Sequence, residues 1–340
     1  MLLLTVVSIS TVGQTADTPL YDVDSALNVT LSAPHKAIYR ARKDPQRPSF
    51  EGTWEYTNDA GETVQLSVGV RPRGNFRREN CRHIPLQINF KKGQVKKTLF
   101  KGQNKIKLVG PCSPGARARE WLMLEYLSYR ALEKITPLHF RTRLLNLTYA
   151  EAGSSKSRTD FAFIIESDGD TAKRLGLDLE REDVAMSRLN PEHSALVEVF
   201  QYFIGNNDYS TSRAATPDRT CCHNMRLLVD RQADEGFLPV PYDFDHAGIV
   251  DPSYARASKN VPGNSVRKRY FTGLCKKDEA IWNRTFERFN QQRQAIEQLF
   301  VDGTLKESSR ESALKYINEF YQIINDEQRS RREIIDRCRG

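Results

Sequence analysis

The sequence predicts an α+β protein of two lobes, a β-rich N-terminal lobe followed by a mainly helical C-terminal one. Between about residues 28 and 110 apolar side chains alternate with other residues, as in Val64, Leu66, Val68 and Val70 and again in Ile84, Leu86, Ile88 and Phe90, which is the period of half-buried strands. Beyond that point the apolar period lengthens to the helical one. At 340 residues, 39% hydrophobic and 28% charged, the chain can bury a full core and is too apolar to be disordered.

The elements follow in order. Thr53–Thr57 passes through the turn Asn58-Asp59-Ala60-Gly61 into the run that starts at Val64, a hairpin, and Ile106 and Leu108 mark a further strand. A helix is expected from about Ala116 to Ile135, because Leu124, Leu127, Ser128, Ala131, Leu132 and Ile135 share one face and Thr136-Pro137 stops it. Strands are expected near Leu144–Tyr149 and Asp160–Glu166. Asn190 can cap the next helix, Pro191 suits its first turn, Leu196, Val199, Phe200, Phe203 and Ile204 form its stripe, and Gly205 ends it. Short strands at Met225–Val229 and Phe237–Tyr242 and two long helices, around Asp278–Phe300 and Ser308–Ile335, complete the chain. The expected divisions are a leader over 1–16, the β-rich lobe over 17–110 and the mixed, then helical lobe over 111–340.

The apolar run Leu2-Leu3-Leu4-Thr5-Val6-Val7-Ser8-Ile9 is too short to span a bilayer but fits the core of a secretory leader, with cleavage expected near Ala16. It lacks the usual basic residue ahead of the apolar core, and a buried N-terminal strand is the alternative. The six cysteines make an even count that suits disulfides in an oxidising compartment. Cys81 is expected to pair with Cys112, since both flank the β-rich lobe, and Cys275 with Cys221 or Cys222. A zinc site on Cys221, Cys222 and His223 is disfavoured, because adjacent cysteines rarely chelate one metal. A periplasmic or secreted protein with no transmembrane segment in its mature form is expected.

The formal net charge of +8 favours anionic partners. Basic residues are densest from Arg71 to Lys107 and read mainly as a solvated sheet face. Without zinc-finger spacing, an RNP-like aromatic run or a long basic helix, no specific nucleic-acid partner is indicated.

The chemistry-bearing stretch begins where the capped helix ends. Gly205-Asn206-Asn207-Asp208 is followed by a polar insertion, then by His223-Asn224 entering a strand, and after a second strand by Pro241-Tyr242-Asp243-Phe244-Asp245-His246. Phosphoryl transfer to a hydroxyl needs a carboxylate to orient the hydroxyl, and an amide oxygen with a second carboxylate to hold Mg²⁺ against the phosphates. The chain order Asp, Asn, Asp, each at an element boundary, supplies those groups. The pair Asp243 and Asp245 alone would equally suit a metal-dependent hydrolase or a sugar transferase.

Together with Arg73-Gly74-Asn75, the Leu124–Leu132 helix and the strand ending at Glu166, these segments resemble the spore-coat protein H (CotH) kinase family, over about residues 65–250. The Cys221-Cys222-His223-Asn224 and Val240-Pro241-Tyr242-Asp243-Phe244-Asp245 runs look like an exported bacterial branch of it. The resemblance implies a two-lobed, atypical protein-kinase-like fold using ATP and Mg²⁺ or Mn²⁺ to modify an exported protein substrate. Asp208 matches the catalytic carboxylate, Asp243 the metal-binding one, and Asn224 the second metal ligand, with Asp245 beside them. Where the family commonly carries a Pro-Lys-Lys-Ser-like run, this chain has Cys81-Arg82-His83-Ile84-Pro85. Lys105 and Lys107 are therefore the candidates to grip the nucleotide, with Glu166 as the partner of that lysine and Arg73 as a phosphate contact. A binding protein of the same family without catalysis is the rival reading, and His246 reads as structural.

Overall fold

Seven strands close into a barrel: β1 (Leu27–Ala33), β2 (Phe50–Thr57), β3 (Thr63–Pro72), β4 (Leu86–Phe90), β5 (Lys105–Val109), β6 (Thr142–Glu151) and β7 (Ser157–Ile165). This computed structural model describes residues 19–216, 220–233, 235–258 and 261–340. The expected leader and its cleavage point near Ala16 lie outside the described residues. The strand order around the barrel is β1-β2-β3-β4-β5-β7-β6, with β6 returning to β1. Neighbours are antiparallel except for that seam, where Leu27 faces Leu145 and Ala33 faces Glu151 in parallel register. Alternation drives the inside, where Leu31, Trp54, Val70, Ile88, Ile106, Leu145 and Ile164 bury one face of each strand. Trp54 packs edge-on against Phe90 and Phe100 to fill it.

The closed barrel overturns the two-lobed kinase-like arrangement. The expected boundary at residue 110 cuts through it, because β6 and β7 are barrel strands. Closure depends on β1 lying beside a strand 118 residues later, a pairing that no local periodicity encodes.

Three short helices, α1 (His35–Arg40), α2 (Phe76–Asn80) and α3 (Lys92–Val95), sit in the barrel's loops. Then come α4 (Ala116–Ile135), α5 (Asp168–Leu175), α6 (Pro191–Ile204), α7 (Ala280–Asp302), α8 (Glu307–Ile324) and α9 (Glu327–Glu333), with a small sheet of β8 (Asp178–Glu180), β9 (Met225–Val229) and β10 (Leu238–Pro241) in the order β10-β9-β8. Phe163 and Ile165, on the outer face of β7, belong to the same apolar core as α4, α6, α7 and α8, so barrel and helices share a core.

Local signals fix the clearest boundaries. The Asn190 side chain accepts from the His193 N–H and caps α6, and Gly205 ends it at φ +69°, a conformation that only glycine adopts freely. The last expected helix divides at Asn325, where Asp326 caps a new segment by accepting from the Arg329 N–H.

His193, in the first turn of α6, is buried with its Nε2–H donating to the Pro239 carbonyl at 2.8 Å. Burial lowers its pKa to about 4, and the carbonyl only partly opposes this. Between the unfolded value of about 6.5 and the folded one, the unfolded chain binds the proton and the folded chain does not, so stability falls as pH drops through that window. The expected loss is about 3 kcal/mol, read as a falling urea midpoint, and His193→Gln should flatten it. Equal slopes for wild type and variant would rule His193 out as the source.

All six cysteines are bonded. Cys81 pairs with Cys112 as expected. Cys275, however, pairs with Cys338, and Cys221 with Cys222, against the expected bond between Cys275 and the adjacent pair. The physical reason is a parallel bridge between Leu274 and Arg339, which lays the chain's end beside residues 273–275. Three disulfides fit an oxidising compartment, and among the described residues no helix is long and apolar enough to cross a membrane.

Candidate functional site

The loop after α6 is built on Asn206, which is buried, donates to Gln201 Oε1 at 3.0 Å and accepts the Asp208 N–H at 3.0 Å. Asp208 thus leaves the helix end in a fixed direction. The insertion that follows folds back on itself, since the Ser210 N–H donates to the His223 carbonyl. Asn224 therefore reaches Asp208 across 16 residues, donating from Nδ2 to the Asp208 carbonyl at 2.7 Å and to Oδ2 at 3.0 Å. His223 Nε2 stands 2.8 Å from Oδ1. Burial opposes ionisation of Asp208, but the hydrogen bonds and charge of His223, with His246 and Asn224, outweigh it and hold the carboxyl below its usual range.

The hairpin of β9 and β10 brings Asp243 to the same end, with the Tyr242 N–H on the Asn224 carbonyl at 3.1 Å. Among the described residues the non-glycine positions with positive φ are Arg47, Asn224, Asp243 and Asp251, so two of the four lie in this cluster. Such conformations persist where the surroundings over-determine them. For Asp243 the determinants are its N–H, donating to Tyr129 Oη at 2.8 Å, and Phe244, buried 4.5 Å from the Tyr129 ring and 5.6 Å from Phe200 between ring centroids. The Asp243 carboxylate makes no hydrogen bond or ion pair to any described residue. Burial raises its pKa, Asp245 and Asp208 push it the same way, and Arg77 and Arg73 pull it down.

Asp245 points elsewhere. Arg77, on α2, donates from Nε to Asp245 Oδ2 at 2.7 Å and from Nη2 to Glu125 Oε2 on α4, and all three side chains are at least nine-tenths buried. Burial is the largest influence on Glu125 and, with Asp245 and Asp243 adding to it against Arg77, raises it to about 8. Gly74 makes this possible, because its φ of +83° turns the chain out of β3 so that α2 faces inward. Arg77 and Lys107 thus depart from the solvated basic face expected between residues 71 and 107.

Lys107, on β5, is the lysine that faces this region. Its Nζ meets Asp168 Oδ1 at 2.5 Å and lies over the rings of Phe140 and Tyr242, 4.4 and 5.0 Å from their centroids. Burial lowers its pKa, Asp168 opposes this, and Arg73 and Arg226 add to it. Arg226, on β9, takes the other Asp168 oxygen at 2.6 Å. Burial opposes ionisation of Asp168, yet Lys107 and Arg226 together hold it well below the usual carboxylate range. Arg73 makes no hydrogen bond or ion pair from its side chain to a described residue, yet its charge reaches both Lys107 and Asp243. Lys105, two residues back, is exposed.

Glu166 does not pair with either lysine. Fully buried, it takes Arg174 at 2.9 Å and Thr171 Oγ1 at 3.0 Å and anchors α5 to the barrel. His246 sits among the rings of Phe76 and Tyr254. Arg77, Glu125, Tyr129, Asp168 and Arg226 were missed from sequence. The one available signal was Arg226, a charged residue inside an apolar strand.

The donor set suits a divalent cation in one form only. Asn224 gives its amide N–H groups to Asp208 and keeps its Oδ1 out of those bonds, and the Asp243 carboxylate is crowded by acids, which a cation would relieve. Two protein donors with water and phosphate completing the shell is a Mg²⁺ pattern. Among the described residues no group of three or more His, Cys, Asp and Glu converges as a ligand set, and Asp245 is committed to Arg77. The Cys221–Cys222 bond leaves no thiolate for zinc or for nucleophilic chemistry. No family model matches the chain, and no curated protein matches it.

Proposed function

We propose that the chain is an ATP-dependent phosphotransferase that modifies a hydroxyl of an exported protein with Mg²⁺ or Mn²⁺. The observation that carries this reading is the unpaired, part-buried Asp243 carboxylate beside an ionised Asp208, with Arg73 and Lys107 as cations nearby. Asp208 accepts the hydroxyl proton, and His223 and Asn224 hold both of its oxygens so that it is ionised and oriented. Arg73 offers its guanidinium to phosphate oxygens, and Lys107, kept in place by Asp168, adds a second positive charge. A metal on Asp243 and Asn224 Oδ1 would supply neutralisation of phosphate charge. Of the residues in these roles, Arg73, Asp208, Asn224 and Asp243 lie in the segments that resemble the CotH kinase family, Lys107 stands in for the family's lysine run, and the disulfides suit an acceptor outside the cytosol.

A second reading, nucleotide binding without turnover, is favoured by Lys107 being closed into an ion pair with Asp168. Thermal denaturation tests the shared part. ATP with Mg²⁺ should stabilise the protein by about 2.7 kcal/mol at a hundredfold excess over Kd, with neither component sufficient alone. Stabilisation by nucleotide sugars but not ATP would redirect the assignment to sugar transfer. Saturable binding with no transfer of labelled phosphate would favour the second reading.

A further inference from the structure

We infer that the chain binds a small amphiphilic carboxylate at a second site, a cavity of about 350 Å³ at one mouth of the barrel that none of Asp208, Asn224 and Asp243 lines. Its walls are α1, the segment leading into β4 and the turn end of the β6–β7 hairpin. The floor is apolar, formed by Ile38, Leu86 and the ring of Tyr149, and the rim carries Lys36, Arg82, Lys156 and Arg158. The acid in the lining is Glu151, whose Oε2 is already used by the Lys36 backbone N–H at 3.2 Å. None of the four cations forms an ion pair with a described residue.

Arg158 is the informative one. Its guanidinium carbon lies over Tyr149, 3.9 Å from the ring centroid, and its Nη1 is buried without a hydrogen-bond partner. By contrast, buried Arg77 meets Asp245 and Glu125, Arg174 meets Glu166, and Arg143 meets the carbonyls of Ser25 and Leu20. A buried guanidinium N–H without an acceptor is costly, and a bound anion would supply one. The planar fork matches a carboxylate, the apolar floor asks for a hydrocarbon body, and the volume is at the small end of ligand cavities. One wall is braced in advance, because the N–H groups of Arg82 and His83 both donate to the carbonyl of Cys112, at 2.9 and 3.1 Å, beside the Cys81–Cys112 bond. A rigid wall reduces the ordering cost of binding.

Isothermal titration with 3-phenylpropionate and its neutral counterpart 3-phenylpropanol tests the site. The carboxylate should bind saturably and the alcohol about tenfold more weakly or not at all, with Arg158→Gln lowering carboxylate affinity by about tenfold or more. Arg82→Gln, at an exposed position that cannot disturb the core, should lower it severalfold. Equal affinity for acid and alcohol would overturn the proposal, as would the absence of saturable binding to about 10 mM. So would wild-type affinity in Arg82→Gln, which decides the matter even if Arg158→Gln fails to fold.

Discussion

Asp208→Asn should leave nucleotide binding intact and lower phosphoryl transfer by about 10²–10⁴-fold, the range for a lost general base, whereas Asp243→Asn should abolish metal-dependent binding and transfer together. The two carboxylates differ in environment, and the different outcomes follow from that. Asp208 is held ionised by His223 and Asn224, both of which donate to it, so its capacity is to accept a proton. Asp243 has no such partner and is crowded by Asp245 and Asp208, so what it lacks is a cation. Both substitutions are nearly isosteric, and circular dichroism should confirm unchanged folding before the rates are compared. The assay is transfer from γ-labelled ATP with Mg²⁺ or Mn²⁺ to candidate exported proteins. Transfer surviving in Asp243→Asn would defeat the phosphotransferase assignment.

Arg77→Met should destabilise the fold by about 3–5 kcal/mol, because it leaves Asp245 buried without its counter-charge and Glu125 without its hydrogen-bond donor. Methionine keeps the apolar stem but not the guanidinium, so the triple variant is what separates the electrostatic loss from the cavity. Adding Glu125→Gln and Asp245→Asn to the variant should recover much of the loss, since neutral amides in the same place need no guanidinium. Urea denaturation of the single and triple variants measures this. A cost under about 1 kcal/mol for Arg77→Met would show that the cluster does not hold α2 to α4. Arg73 reaches the site from the same turn, so nucleotide binding should weaken with it.

What could be read in the sequence was local. The α4 and α6 boundaries, strand β9 and the β2–β3 hairpin followed from capping residues, stripe spacing and turn chemistry, each contained within a few residues. Asp208, Asn224 and Asp243 could be singled out because each lies within a few residues of an element's end. The unread features all depend on partners far along the chain. Arg77 lay in a basic run and gave no hint that it would meet Asp245, 168 residues away. Asp168 opens a short polar helix without an apolar stripe, so neither α5 nor its bridge from Lys107 to Arg226 could be foreseen. Glu166 was placed correctly at a strand end but given the wrong partner, since the basic residue on the facing turn of α5 is Arg174. Connectivity among Cys221, Cys222, Cys275 and Cys338 is not encoded in spacing, and the bridge between Leu274 and Arg339 decided it.

The parallel seam between β1 and β6 also sets the order in which the molecule can be made. A chain that emerges N-terminus first exposes β1 long before its seam partner exists, and the meander from β1 to β5 has two unsealed edges, β1 and β5, until β6 and β7 have followed at residue 165. Joining strands 118 residues apart requires a large loop to close before any contact rewards it, which makes barrel sealing a high-contact-order, slow event. During that interval the backbone groups of β1 and β5 are open to pairing with other chains, so refolding yield should fall with protein concentration far more steeply than native stability would suggest.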